Sequence, residues 1–305
     1  EIRNCDWSSD VCSSDLPSFI TMYMCRETIR RAIVQKFNEV KGWNCQSLDN
    51  LYERIEDKQE ANRIINSLKI CDPAVGSGHF LVSALNEIIA IKSELRVLLD
   101  RSGKSLKDYR VEVRNDKLLV YDDEGNLFAY YPNNREKQRV QEALFHEKQT
   151  IIEGCLFGVD INHNSVTICR LRLWIELLKN AYYREDGNLE TLPNIDINIK
   201  CGNSLISRFG LDVDIKQVLQ KQKFSIEQYR NAVQTYRHAE TKTQKREMED
   251  LIAKIKAGFR SSLLGNDPKK VKLRQLQGEL YSLENQMLLF EETKAEKKAR
   301  EKKVN

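Results

Sequence analysis

One stretch constrains this chain more than any other. Asp72-Pro-Ala-Val-Gly-Ser-Gly-His-Phe80 follows the short apolar run Lys69-Ile-Cys and opens a helical pattern that runs from His79 to about Leu99. An apolar run ending in an acid, then two spaced glycines, then helical periodicity predict a strand, a tight loop and a helix. Gly76 and Gly78 let the backbone turn sharply and approach a ligand closely, and the helix start adds N–H donors aimed at that ligand. A dinucleotide fingerprint needs a third glycine and a phosphate loop needs Gly-Lys-Ser/Thr, where Phe80-Leu81 stands instead. Asp72 at the strand end repels a pyrophosphate and attracts an ammonium. By itself such a loop is also what an ordinary structural turn looks like, because Gly-x-Gly is common.

Two later segments repeat the arrangement. Cys155-Leu-Phe-Gly-Val159 ends in Asp160 and precedes a helical segment from Ser165 to Tyr183, while Ile195-Asp-Ile-Asn-Ile199 leads into Cys201-Gly-Asn-Ser-Leu205. This alternation predicts an α/β fold with a parallel sheet, crossover helices and a ligand at the carboxyl ends of the strands. Before the sheet, an N-terminal helical region over 17–68 contains one helix from Pro17 to about Asn38 and an amphipathic one from Leu51 to Leu68. Within the domain at 69–214, an insertion at about 100–150 carries a β-hairpin at 109–131 around the turn Asp122-Asp-Glu-Gly-Asn126, then a helix at 135–150. Beyond about Ile215 the sheet signal stops. Ser225-Ile-Glu-Gln228 reads as a capping box, Tyr229 to Phe259 as one helix and Gly265-Asn-Asp-Pro268 as a turn. Leu273, Leu276, Leu280, Leu283, Met287 and Phe290 then form a heptad seam, so 215–305 is expected to be a coiled-coil hairpin. Residues 1–16 contain Ser-Ser-Asp twice and nothing that would bury a face; they resemble translated sequencing-adapter sequence and are set aside from the fold.

Composition narrows the class. With 41% hydrophobic and 31% charged residues, 13 Gly and 5 Pro, the chain is neither collagen-like nor a Pro/Gly-rich disordered segment. No run approaches the roughly 18 apolar residues of a membrane span, and no signal-peptide pattern opens the chain, so a cytoplasmic protein with no membrane partner is expected. The eight cysteines never form C-x-x-C and suggest buried thiols in a reducing compartment. His79, His146, His163 and His238 lack ligand spacing, and no metal site is expected. A net charge of +4 permits nucleic-acid binding without arguing for it. Arg170, Arg172 and Lys179 read either as a phosphate contact or as a solvated helix face, and Lys294–Lys303, interleaved with Glu296 and Glu301, as a solvated helix end.

The two strand-end acids favour S-adenosylmethionine as cofactor. Its amino group suits Asp72, and its ribose hydroxyls suit Asp160, which can accept from both. Alone, Asp160 is equally an acid at a helix N-terminus.

Taken together, Asp72-Pro-Ala-Val-Gly-Ser-Gly-His-Phe-Leu81, Phe157-Gly-Val-Asp-Ile-Asn162 and Asn198-Ile-Lys-Cys-Gly-Asn-Ser-Leu205 resemble the first three motifs of the DNA adenine-N6 methyltransferases of type IIG (Eco57I-like) restriction–modification enzymes. Ile168-Cys-Arg-Leu-Arg-Leu-Trp-Ile-Glu-Leu-Leu-Lys-Asn180 shares the likeness, which spans roughly Pro17 to Phe209. The resemblance implies part of a Rossmann-like class I S-adenosylmethionine-dependent methyltransferase sheet. It implies that Asp72, Pro73, Ala74, Gly76, Ser77 and Gly78 form the cofactor loop, that Asp160 holds the ribose, that Ile161 beside it also contacts the cofactor, and that Asn203 and Ser204 lie near the cofactor's adenine. Many relatives carry Asp in place of Asn203, whose amide still donates and accepts. Phe80 reads either as packing near the cofactor or as a core residue under the first helix.

Two departures follow from the same likeness. A Phe-Tyr-Thr-Pro-like lid before the first helix is expected to be corrupted, since Asp15-Leu16 precedes Pro17. The family's catalytic Asn/Asp-Pro-Pro-Tyr/Phe is absent, because Pro17, Pro73, Pro132, Pro193 and Pro268 are all isolated. In the family that motif accepts hydrogen bonds from the adenine amino group and stacks on the flipped base. The chain is therefore expected to be a cofactor-binding N-terminal fragment with no catalytic residue, inactive alone, whose DNA contacts lie mostly downstream. A methyltransferase acting on a non-DNA substrate, a non-catalytic helical interaction protein or decayed gene product, and a nicotinamide-dependent enzyme stay open as alternatives; oligomeric state is not addressed by any motif.

Overall fold

The structure, a computed structural model, describes residues 17–206, 225–239 and 241–265, with positions 272, 276 and 277. Residues 1–16, the turn after Gly265, every heptad position except Leu276, and the 294–303 run lie outside the described residues. The chain divides into two compact units, 1–206 and 207–305.

In the first unit, helix α1 (Ser18–Lys41) places Thr21, Cys25, Ile29, Ile33 and Phe37 at intervals of four on one buried face and ends where Gly42 adopts φ +67°. That face packs on the helix that leaves the glycine loop, His79–Glu94. The amphipathic segment expected as one helix from Leu51 to Leu68 is two: α2 (Leu48–Arg54) and α3 (Lys58–Asn66). The break arises because Asp57 accepts from the N–H groups of Gln59 and Glu60 and starts a new helix after an extended Ile55. Both pieces still bury apolar residues, which is why periodicity alone ran through the interruption.

The sheet has three parallel strands in the order β1 (Ile70–Asp72), β4 (Leu156–Asp160), β5 (Ile199–Cys201). Its register sets Asp72 beside Gly158 and Asp160 beside Cys201, so the carboxyl ends of all three strands lie side by side. Helix α4 (His79–Glu94) leaves β1 and is buried almost all round, with Leu85, Ile88, Ile89 and Ile91 fully enclosed; it ends before the expected Leu99. Helix α5 (Arg135–Gly154), capped by Asn134, leads into β4, and α6 (His163–Leu178), capped by Asn162, links β4 to β5.

Two further expectations are corrected. The hairpin closes between β2 (Arg110–Arg114) and β3 (Lys117–Tyr121) at Asn115 and Asp116, whose φ values of +50° and +59° suit a two-residue turn and residue types that tolerate left-handed backbone. The Asp122–Asn126 turn holds only the bridge between Tyr121 and Leu127. The third strand begins at Ile199 instead of Ile195, because residues 196–198 form a turn pinned by Asn198. The Asn198 side-chain amide donates to the carbonyls of Ile152, Glu153 and Leu156 at 2.8–2.9 Å. Of the described cysteines, Cys25, Cys45, Cys155 and Cys169 are buried as expected, but Cys71 and Cys201 on the sheet are exposed.

In the second unit, α7 (Ile226–Arg237) opens on the expected capping box of Ser225 and Gln228. The helix expected to continue to Phe259 stops there, and α8 (Lys242–Gly265) follows after Thr241 accepts from Gln244 N–H. The two helices pack through Ala232, Val233, Tyr236, Ile252 and Ile255, with Tyr236 Oη donating to Glu249 at 3.0 Å. A hairpin thus lies inside the segment read as one helix, and the one expected about the 266–268 turn lies outside the described residues. No helix among the described residues is long and apolar enough to cross a membrane.

Candidate functional site

Asp72, half-buried at the end of β1, accepts from Ala74 N–H at 3.0 Å and so turns the chain out of the strand. The loop then folds across β4, with Val75 N–H donating to the Val159 carbonyl at 2.9 Å. This approach needs Gly158: a Cβ there would stand 2.7 Å from Val75 Cγ2. Gly76 N–H donates to Asp160 Oδ2 at 2.9 Å, and Asn162 N–H to Asp160 Oδ1 at 2.7 Å. Gly202 N–H reaches the Asp160 main-chain carbonyl at 2.8 Å. One carboxylate therefore ties the glycine loop to the second strand end, and its main chain ties the third.

Gly78 completes the loop at φ +85° and caps α4, with Cys169 Sγ of α6 seated where a Cβ would point. Ser77 is buried beside it. Burial pushes the Asp72 carboxyl above its ordinary range, against the pull of Ala74 N–H, and the neighbouring Asp160 charge pushes the same way. Two acids at adjacent strand ends, one of them half-buried, are relieved by a cation and by hydroxyl donors and are hostile to a phosphate. These two acceptors thus suit a ligand whose ammonium and hydroxyls donate.

The remaining predicted residues rim this place. Pro73 and Ala74 are exposed on the loop, and Ile161 is 75% exposed just beyond Asp160. Asn203 and Ser204 are exposed after β5, where Asn203 Oδ1 accepts from Leu205 N–H at 2.9 Å, leaving the amide nitrogen as its donor. Phe80, by contrast, packs against the hydrophobic core. Arg170 and Arg172 of α6 are half-buried, while Lys179, just past its last residue, is exposed. Arg170 donates to the Ile199 carbonyl at 2.6 Å, Arg172 donates to Ser77 and His79, and Lys179 pairs with Glu176. Sequence reading places Asn198 in the third strand without its tie to α5 and β4, and does not assign Arg172 to the loop; a basic residue inside an otherwise apolar helix is the one signal that points to Arg172. Among the described residues no group of three His, Cys, Asp or Glu side chains is arranged to hold a metal.

Comparison with known proteins gives a consistent set of likenesses. Residues 48–264 match the family described as MmeI, DNA-methyltransferase domain. A putative type II restriction enzyme and methyltransferase of Methanocaldococcus jannaschii is 31% identical over 216 residues, which is 66% of this chain and 15% of that protein. The type II restriction enzyme and methyltransferase RM.Eco57I of Escherichia coli is 28% identical over 144 residues, 47% of this chain and 11% of that protein. The chain spans less than a sixth of the length of either relative. No solved structure matches it.

Proposed function

The chain belongs to the MmeI DNA-methyltransferase domain family over residues 48–264, and from that premise we propose that it is the S-adenosylmethionine-binding part of a restriction–modification methyltransferase that modifies adenine N6 in DNA. The observation that carries this reading is the pairing of Asp72 and Asp160 across adjacent strand ends, with Gly76 tied to Asp160 between them. On this reading Asp72 takes the ammonium of the methionine moiety. Each Asp160 oxygen, having accepted one N–H, keeps a lone pair for a ribose hydroxyl. Ile161 offers an apolar surface to the adenine, and Asn203 and Ser204 its polar edge. Pro73, Ala74, Ser77 and Gly78 shape the loop around the methionine end. S-adenosylmethionine, when bound, supplies a methyl group activated on a sulfonium.

The parallel sheet with its crossover helices supports assigning 69–214 to a Rossmann-like domain with a helical region before it and a helical insertion after it. The adenine amino group is a poor nucleophile and needs acceptors held against it. The sequence contains no Asn/Asp-Pro-Pro-Tyr/Phe to supply them. We therefore assign that step, and most contacts with DNA, to the full-length protein, acting in the cytoplasm, and expect the present chain to be inactive by itself.

Calorimetric titration with S-adenosylhomocysteine tests the reading. Saturable binding is expected, with no competition from NAD. Asp160→Ala should weaken it by about 1.5–3 kcal/mol, the scale for hydrogen bonds to a charged group. Unchanged affinity in that variant, or tighter binding of NAD, would overturn the assignment.

A further inference from the structure

Asp160 holds only the first half of the glycine loop. Beyond Gly76 the loop is gripped by side chains from elsewhere. Arg172 Nη1, on α6, donates to Ser77 Oγ at 3.2 Å and to His79 Nδ1 at 2.8 Å, and so bridges the two residues that flank Gly78. One turn earlier on the same helix, Cys169 closes the space above Gly78. A guanidinium has donors only and keeps its charge, so the His79 nitrogen that faces it is the bare one and the ring proton sits on Nε2. Nε2 faces the Asp116 carboxylate at 3.8 Å, at the turn of the β2–β3 hairpin. Asp116 is fixed in its turn, accepting from Ser83 Oγ at 2.7 Å and, through its carbonyl, from Asn86 Nδ2 at 2.9 Å. A carboxylate at that distance favours the tautomer that leaves Nδ1 open to Arg172.

We propose that Arg172 is a positioning residue for the cofactor loop, and that the inserted hairpin takes part in the same grip, because Asp116 sets which nitrogen of His79 Arg172 can hold. The inference rests on the cofactor reading above. It makes the insertion between the first two sheet strands a support of the cofactor loop, in the way outlying partners fix the ligands that do the binding.

Four substitutions separate this role from plain packing. Arg172→Met keeps the aliphatic stem and removes the donors, while Arg172→Lys restores one donor and the charge. His79→Leu removes the acceptor, while His79→Asn places an amide oxygen near the position of Nδ1. Arg172→Met and His79→Leu should each weaken S-adenosylhomocysteine binding about tenfold, the low end for a charge-assisted hydrogen bond. In the ligand-free chain both should speed hydrogen exchange at the Gly76–Phe80 amides. Arg172→Lys should recover part of each effect and His79→Asn most of it, which loss of packing alone would not reproduce. Normal binding and unchanged loop exchange in Arg172→Met, alongside lost binding in Asp160→Ala, would overturn the positioning role and leave the cofactor reading standing. If Asp160→Ala leaves binding unchanged, the cofactor reading fails instead, and the loop exchange of Arg172→Met still decides whether Arg172 holds the loop.

Discussion

Gly78 shows how little freedom single residues of the loop retain. Its φ of +85° is a region where side chains are strained, and an added Cβ would meet Cys169 Sγ at 2.7 Å and the Cys169 backbone at 3.3 Å. Gly78→Ala should therefore lower the unfolding free energy by about 1–3 kcal/mol in urea titrations. Trimming the partner with Cys169→Ala should recover only part of that, because the backbone strain survives the removal of the sulfur. Recovery of the whole loss would show that contact, and not φ, sets the requirement. Asp72 and Asp160 were legible as a pair from local sequence, since each ends an apolar run and meets a helix start. That Asp160 spends one lone pair of each oxygen on backbone N–H groups was not legible, because one of those donors, Gly76, is 84 residues away.

At the scale of elements, Asn198 decides where the third strand begins. It is almost fully buried, and its amide caps the carbonyls of Ile152 and Glu153 at the end of α5 and of Leu156 at the start of β4. Asn198→Leu, similar in size but without donors, should cost about 1–3 kcal/mol, the range for leaving buried acceptors unpaired. Asn198→Asp should cost more, since a carboxylate would face three carbonyl oxygens. Chemical denaturation of both variants tests the order; equal stability of the two would remove the capping argument. The apolar pattern from Ile195 to Ile199 reads as a strand because alternation carries no information about a side chain that reaches back to another element. The break between α2 and α3 and the hairpin turn at Asn115–Asp116 escaped for related reasons. In each, a short polar side chain or a left-handed pair outweighs the surrounding periodicity.

For the molecule as a whole, stability should depend on acid through two well-held carboxylates. Burial alone would raise Asp100, but hydrogen bonds from Ser102, Arg139 and Lys104 N–H bring its pKa to about 2. Burial likewise opposes ionisation of Glu190, and Arg184, Tyr182 and Thr191 N–H bring it to about 2. Both values lie below those of the unfolded chain, so the folded state binds fewer protons, and the stability they contribute is present above about pH 5 and lost on descent toward pH 2. Asp72 and Asp116, raised by burial, act in the opposite sense and blunt the loss. Arg139→Gln, which removes a partner from Asp100 and also from Glu136, whose carboxyl pKa it lowers too, should make the acid limb shallower in unfolding titrations across this range, and an unaltered slope would contradict the role of both pairs. By itself the sequence determined the long helices of the first unit's core and the strand–acid–glycine arrangement of the sheet, because each depends on residues that are near neighbours along the chain. Only the tertiary structure decided which donors meet Asp160, where β5 starts and what Arg172 holds. Those contacts join residues brought together by the crossovers and by burial, and neither period nor composition carries that geometry.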